Sequence, residues 1–437
     1  MTSTQGRAPA MSFIFVTMVL AIMGMGLLIP VLPKLIVEMQ GGDETAGAHA
    51  YGIIVAVYAV MQFIGSPILG SLSDRFGRRR IILIATAGSA IDYVIMANAP
   101  TLSWLVVARV IAGLTAGIMA TANAYIADVT PPEKRAGAFG LLGSAFAIGF
   151  IIGPLLGGLL GDINLRLPFW VAAACAAVNW VFGFFVLPES LKPENRRTFS
   201  WARANPVGAV LALRRFPAVL SLAESYFLLM LAQMMLFSTW TLYALHRYAW
   251  SMKMVGLSLF SSGVCMGLVQ ALLVRKIVPK LGDTRAVVVG MMISFVAQIC
   301  YGFAAQGWMI FAIIVLGSLA GISGPALQSF ITKHVPGNEQ GAVQGVLMGL
   351  QSLAGIPAPL IATWSFGWAI SKDGAVHLPW ILSRADGVAT WLAQHFLPRH
   401  PGIAFFEAAA LVLCALVLAI RSFRKDHEPI LHPAPGA

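Results

Sequence analysis

Charge is the scarcest property of this chain. Asp, Glu, Lys and Arg make up 11% of its 437 residues, against about 25% in soluble domains, which excludes an ordinary soluble fold. Cysteine is nearly absent. Cys175, Cys265, Cys300 and Cys414 each stand alone inside an apolar segment, so neither a disulfide framework nor a metal site is expected and core packing is their expected role. All eight histidines fall outside the predicted spans, leaving no candidate for a histidine proton relay in a bilayer core. Nucleotide-binding motifs, metal-ligand clusters and nucleophile–base pairs are missing too, which argues against an enzyme, a metal centre or a bound cofactor. A cleavable leader is not expected either, because one Arg7 precedes an apolar run longer than a signal-peptide core, with no convincing cleavage site before Pro30.

Apolar residues are what the chain has, at 58%. Windows of about 20 apolar residues predict spans near 12–33, 51–71, 81–98, 102–125, 137–160 and 167–187. Six more follow near 218–244, 255–274, 286–304, 307–330, 341–370 and 402–420, the eleventh being longer than one helix needs. The expected fold is therefore an all-α polytopic membrane protein of twelve transmembrane helices. It divides into 1–187, a polar linker over 188–217 and 218–437 with its tail. The linker carries Lys192, Arg196, Arg197, Arg203, Arg214 and Arg215, with a short amphipathic helix expected around Trp201 and Val207. If both termini share a side with the linker, that side holds 21 of the 29 basic residues and the other holds 7, with Arg109 inside a span. The positive-inside rule makes the basic side cytoplasmic. The net charge of +11 thus reflects topology and contact with anionic lipid, and nucleic acid is not an expected partner.

Between the second and third spans runs Gly70-Ser71-Leu72-Ser73-Asp74-Arg75-Phe76-Gly77-Arg78-Arg79-Arg80. One carboxylate, four arginines and two turn glycines where one helix leaves the bilayer and the next enters predict a gate rather than a generic basic loop. Asp128, at the cytoplasmic end of the fourth span, is expected to sit beside that loop and pair with Arg75, while Asp74 is expected to cap the positive end of a second-half helix. In the fifth span Gly149, Gly153 and Gly157 recur every fourth residue, with Pro154 and Gly158 beside them. Such a stripe admits a neighbouring helix backbone to backbone, and Pro154 removes one helical hydrogen bond and kinks the helix there. Arg109 lies several residues inside the fourth span, where a charge requires a cavity, a partner or a route to the surface.

These motifs resemble the major facilitator superfamily. The gate run matches its loop 2–3 motif, Gly149 to Gly158 matches the motif associated with antiporters, and Arg109 followed by Gly113 fits the fourth-helix motif. The likeness narrows to the drug:proton antiporters, and within them to the tetracycline efflux proteins. It rests there on Gly24 to Pro33, Ala90-Ile91-Asp92-Tyr93, Ala124 to Thr130, Pro325-Ala326-Leu327-Gln328 and Gln340 to Gly345. The resemblance implies two six-helix bundles rocking about a midplane site, in a multi-pass protein of the inner membrane with both termini cytoplasmic, working as a monomer. Departures are specific. Ala21 and Ser294 stand where tetracycline pumps carry acidic residues, and Pro279 stands where the second-half copy of the gate motif would place an Asp. The segment from Ser371 to Pro401 is also longer.

Proton coupling needs a titratable group in the membrane, and the spans offer few. Asp92 lies near the middle of the third and is the expected proton carrier, with Glu224 early in the seventh and Glu407 early in the twelfth as secondary candidates. The pool for a substrate pocket is Tyr58, Gln62, Phe63, Asn123, Tyr226, Gln233, Trp240, Gln328 and Trp364, with Trp180 as a further aromatic. Two functions fit: export of amphipathic drugs in exchange for protons, or carriage of one endogenous metabolite, peptide or lipid-like molecule. An anionic substrate would want basic side chains in the cavity, and the spans offer little besides Arg109.

Overall fold

The computed structural model describes residues 7–131, 134–201, 217–333, 340–371 and 399–425. Twelve helices among them are long and apolar enough to cross a membrane, one for each predicted window. In the first half these are α1 (Arg7–Met39), α2 (Glu44–Phe76), α3 (Arg78–Asn98), α4a (Leu102–Leu114) with α4b (Ile118–Val129), α5 (Arg135–Ile163) and α6 (Leu167–Val186). In the second they are α7 (Pro217–Tyr248), α8a (Met252–Leu268) with α8b (Arg275–Leu281), α9 (Asp283–Phe303), α10a (Gly307–Leu319) with α10b (Ser323–Lys333), α11a (Gln340–Ala354) with α11b (Pro357–Ile370), and α12 (Ile403–Lys425). Of the expected linker, residues 202–216 lie outside the described residues, as does 372–398 of the long segment before α12.

Several helices outrun their apolar windows. The second begins at Glu44, where the Asp43 carboxylate accepts from the backbone N–H groups of Thr45 and Ala46 and so satisfies two otherwise orphaned donors. His49, expected outside the spans, consequently lies within α2, and His246 lies within the last turn of α7. A polar first or last turn is invisible to a hydropathy window but continues the hydrogen-bond ladder. The overlong eleventh window resolves into two helices that meet at Gly355, ahead of Pro357, which cannot donate to the preceding turn.

An internal repeat, of which the second-half gate segment keeps little beyond Gly282 in sequence, is plain in the helix boundaries. Helices α3 and α9 each span 21 residues and α4a and α10a each span 13, and all four boundaries recur at an offset of 205 residues. Both fourth-position helices break at the same register, at Thr115–Gly117 and at the 3₁₀ turn Ala320–Ile322. Both preceding turns use a glycine in left-handed backbone, Gly77 at φ 102° and Gly282 at φ 79°, which any side chain would strain.

The core reveals how the halves meet. At the face away from the basic loops one apolar cluster runs through both, joining Leu27, Val31 and Tyr51 to Trp240, Tyr243 and Phe405. Toward the basic face the buried clusters separate, one within the first half around Phe13, Ile82 and Tyr125, another within the second around Leu222, Val287 and Leu327. Two polar contacts reinforce the joined end. Thr241 Oγ1 donates to the Ile29 carbonyl at 3.1 Å, and His246 Nδ1 lies 2.5 Å from Glu44 Oε2. The halves are thus zipped at one face and parted at the other.

Candidate transport site

The gate is built around Arg78. Helix α2 runs to Phe76, Gly77 reverses the chain, and Arg78 opens α3 with its side chain buried under the end of α2. Its Nη1 donates to Asp74 Oδ1 and to Ser73 Oγ, both at 2.6 Å, and its Nε donates to Asp128 Oδ2 at 3.1 Å. The expected Arg75–Asp128 pair is therefore replaced by Arg78–Asp128. Arg75 is exposed and lies over the Phe76 ring, 4.9 Å from its centroid, because it precedes the turn that aims Arg78 inward. Asp74 meets Arg78 here, and its backbone carbonyl accepts from the Arg197 N–H at 3.0 Å. Arg79 donates to the Phe184 carbonyl at 2.5 Å, tying α3 to α6. Gly70, one turn earlier, has open space around it and accepts from Ser73 Oγ at its carbonyl.

Beneath this cluster passes a strap that the sequence reading missed. Directly after α6, Glu189 Oε1 accepts from the backbone N–H of Arg78 at 2.8 Å and from those of Ser190 and Leu191. Ser190 Oγ donates to Asp128 Oδ2 at 3.1 Å, and Tyr125 donates its hydroxyl proton to the Pro188 carbonyl. A carboxylate at a helix N-terminus is favourable, and Glu189 offsets the unfavourable placement of a cation, Arg78, at that same end. The only signal was a polar Pro188-Glu189-Ser190 run at a span boundary, 111 residues from its partner.

Nearer mid-helix, α3 and α4a bring Asp92 and Arg109 together. Asp92 is 1% exposed and Arg109 9%. Arg109 Nη2 hydrogen-bonds Asp92 Oδ2 and the Met96 sulfur, and the guanidinium lies 5.5 Å from the centroid of the Tyr58 ring on α2. Gly113 makes this possible, since a Cβ there would stand 2.7 Å from the Tyr58 carbonyl oxygen. Among the described residues Asp92 Oδ1 and Arg109 Nε have no hydrogen-bond partner, which leaves one unmet hydrogen bond on each side of a buried charge pair. Glu224 is exposed on α7, while Glu407 accepts from Ser365 Oγ at 2.7 Å, so neither joins the Asp92 cluster.

The aromatic pool divides. Tyr58, Gln62 and Phe63 on α2, Asn123 on α4b, and Tyr226 and Gln233 on α7 are half-buried, and Gln328 is exposed on α10b. Trp240 is a core residue instead: it donates to Ser258 Oγ at 3.0 Å and packs edge-on to Tyr301 and Phe405. Trp364 meets the His49 ring edge-on across the two halves, and Trp180 stacks on Phe184 within α6. At the joined face a cleft of about 250 Å³ is lined from both halves by Lys34, Glu38, Glu44, Leu245, Trp250 and Phe366. Burial and then Arg247 push the His400 imidazole below its usual range.

Helix α5 of the first half packs on α1 at one face and on α8a of the second half at another. A Cβ on Gly153 would lie 2.7 Å from the Met23 carbonyl oxygen and 2.8 Å from Gly26 Cα on α1, whereas one on Gly158 would lie 2.9 Å from Gly256 Cα on α8a. The glycine stripe faces α1 and the trailing glycine faces the second half. Gly153→Leu drives bulk into backbone that cannot yield, an overpacking cost of about 1–3 kcal/mol, and transport should fall sharply. Ile152→Ala, at a position 38% exposed, should transport at close to the wild-type rate. Initial efflux rates normalised to membrane-inserted protein check this, and equal sensitivity at both positions would show general packing stress.

Comparison with known proteins adds three findings. The model of the Major Facilitator Superfamily matches residues 14–359. The chain is 39% identical over 376 residues to the class C tetracycline resistance protein of Escherichia coli, covering 86% of this chain and 94% of that one, and 34% identical over 365 residues to the class H tetracycline resistance protein of Pasteurella multocida, covering 82% and 90%. Among solved structures, a bacterial homologue of the human lysosomal transporter Spinster, in an inward-facing and unoccupied conformation, superposes with a TM-score of 0.69 at 19% identity, over 97% of this chain and 99% of that one.

Proposed function

The chain belongs to the major facilitator superfamily, and from that premise we propose that it exports small amphipathic drugs across the inner membrane in exchange for protons. The observation that carries this reading is the buried Asp92–Arg109 pair, a titratable carboxylate and its counter-ion placed inside otherwise apolar helices. Intramembrane charge is costly and is retained for function. Residues 1–187 and 218–437 act as the two rocking bundles about a midplane site and 188–217 joins them, in a protein that works as a monomer in contact with lipid. The basic face, with both termini and the linker, is cytoplasmic. On that orientation the parted face opens inward, where a drug in the cytoplasm or inner leaflet enters between α2 and α7. Tyr58, Gln62, Phe63, Asn123, Tyr226 and Gln233 are the side chains that meet it.

Accumulation of a chemically varied panel of dyes and antibiotics in a pump-deficient bacterial host, with and without a protonophore, tests the reading. Expected is reduced accumulation of apolar and zwitterionic compounds, abolished by the protonophore. Reduction of a single polar metabolite alone would replace drug export by a dedicated carrier. The panel also tests substrate charge. With Ala21 and Ser294 where tetracycline pumps carry carboxylates, the pocket lacks the negative charge that a magnesium–tetracycline cation requires, so any tetracycline resistance should be weak and independent of magnesium. High-level, magnesium-dependent resistance would overturn that expectation.

A further inference from the structure

The 205-residue offset that relates α3 and α4 to α9 and α10 also carries Arg78 onto Asp283 and Asp128 onto Lys333. Both pairs close. Arg78 Nε reaches Asp128 Oδ2 at 3.1 Å, and Lys333 Nζ reaches Asp283 Oδ2 at 2.5 Å, with Ser329 Oγ a further donor to that carboxylate at 3.2 Å. In each half the residue that follows the left-handed glycine is bonded to one in the last turn of the next span, 50 residues on. The polarity is exchanged. This explains why no second gate motif is legible: its arginine has become an aspartate, and Asp74 has become Pro279.

The exchange has an energetic meaning. A helix N-terminus favours an anion and a C-terminus a cation. Asp283 opens α9 and Lys333 closes α10b, so both charges agree with their helix dipoles. Arg78 opens α3 and Asp128 sits in the last turn of α4b, so both charges oppose theirs, and that half recruits Glu189, Asp74 and Ser73 to hold the arginine. The second-half clamp agrees with both helix dipoles and recruits no further ion among the described residues, although the Lys333 side chain is 66% exposed; the first-half clamp works against its dipoles and depends on partners that can be traded.

We propose that Asp283–Lys333 is the permanent clamp of the second half, positioning the start of α9 against the end of α10 throughout the transport cycle, while the first-half Arg78–Asp128 clamp is the one that opens and re-forms. The inference concerns movement and holds whichever compound is carried. It is read by labelling Leu245→Cys with a membrane-impermeant maleimide, in full-length protein whose four native cysteines are replaced by serine. Leu245 lines the cleft at the joined face, so its labelling rate reports outward opening. Asp283→Asn and Lys333→Gln should each slow labelling about two- to fivefold, the range an exposed ion pair carries. The exchanged pair Asp283→Lys with Lys333→Asp should recover part of the loss but less than half, because both charges then oppose their helix dipoles. Arg275→Gln, an exposed cation at the start of α8b, should label at the parent rate. Labelling of both single variants at the parent rate, or an exchanged pair no faster than the slower of them, would overturn the proposal. Should the exchanged variant fail to insert, a short bis-maleimide joining Asp283→Cys to Lys333→Cys decides the matter, with outward opening read by an intramolecular distance probe. Cycling should survive that tether and stop when the same reagent joins Arg78→Cys to Asp128→Cys. Arrest by both tethers, or by the second-half tether alone, would overturn it.

Discussion

Asp92→Asn should abolish uphill efflux, bringing proton-driven transport in reconstituted vesicles to the level of protein-free vesicles while downhill exchange persists. The carboxylate is buried and its counter-ion is Arg109, itself held between Met96 and the Tyr58 ring. Protonating Asp92 removes one member of a buried pair, and breaking such a pair from one side costs about 3–5 kcal/mol. The protein can recover that energy only by moving Arg109, and with it the contact between α4a and α2. A bound proton is thereby converted into a helix rearrangement. Asparagine keeps the shape and the acceptor but cannot titrate, and it leaves the Arg109 charge uncompensated. A second variant separates those two effects: Asp92→Asn with Arg109→Gln removes both charges, so the protein should insert and exchange substrate but still not pump. Asp92→Glu should retain part of the activity, limited by the displaced carboxyl. Wild-type uphill accumulation by the Asn variant would take Asp92 out of the mechanism and move attention to Glu407, bonded to Ser365.

How far the chain could be read before its structure depended on whether a feature is local. The twelve spans were legible because the bilayer demands long apolar runs, and two of the breaks fall where the backbone chemistry is written in the sequence, at Thr115 to Gly117 and at Gly355 before Pro357. The small-residue stripe on α5 was legible as a close helix contact, though not that α1 takes one side and α8a the other. Partners were harder. Whether Arg75 or Arg78 meets Asp128 turns on where α2 stops and how Gly77 redirects the chain, a rotation of a few residues that charge spacing does not encode. Glu189 was missed because its partner lies 111 residues away. An aromatic in a membrane helix reads the same whether it lines a pocket or fills a core, and Trp240 proved to fill the core. The second-half clamp was hidden for a different reason: its geometry is kept while its charges are exchanged, and a motif search compares residues rather than geometry.

The first-half gate sorts its arginines by contact. Arg78→Gln should lower the initial rate of efflux at least about tenfold, corresponding to about 1.4 kcal/mol, because it strips the shared cation from Asp74 and Asp128 at once. Those two carboxylates then face each other near the C-terminal ends of α2 and α4b, where the helix dipoles are already negative. Asp74→Asn and Asp128→Asn should each reduce transport by less, since Arg78 keeps the other carboxylate and Ser73. Arg75→Gln should remain close to wild type, because Arg75 is exposed and touches only the Phe76 face among the contacts described for it. Expression should be largely unchanged in all four. Equal loss of transport for Arg75→Gln and Arg78→Gln would mean that the loop contributes only positive charge, with no particular arginine serving as its latch.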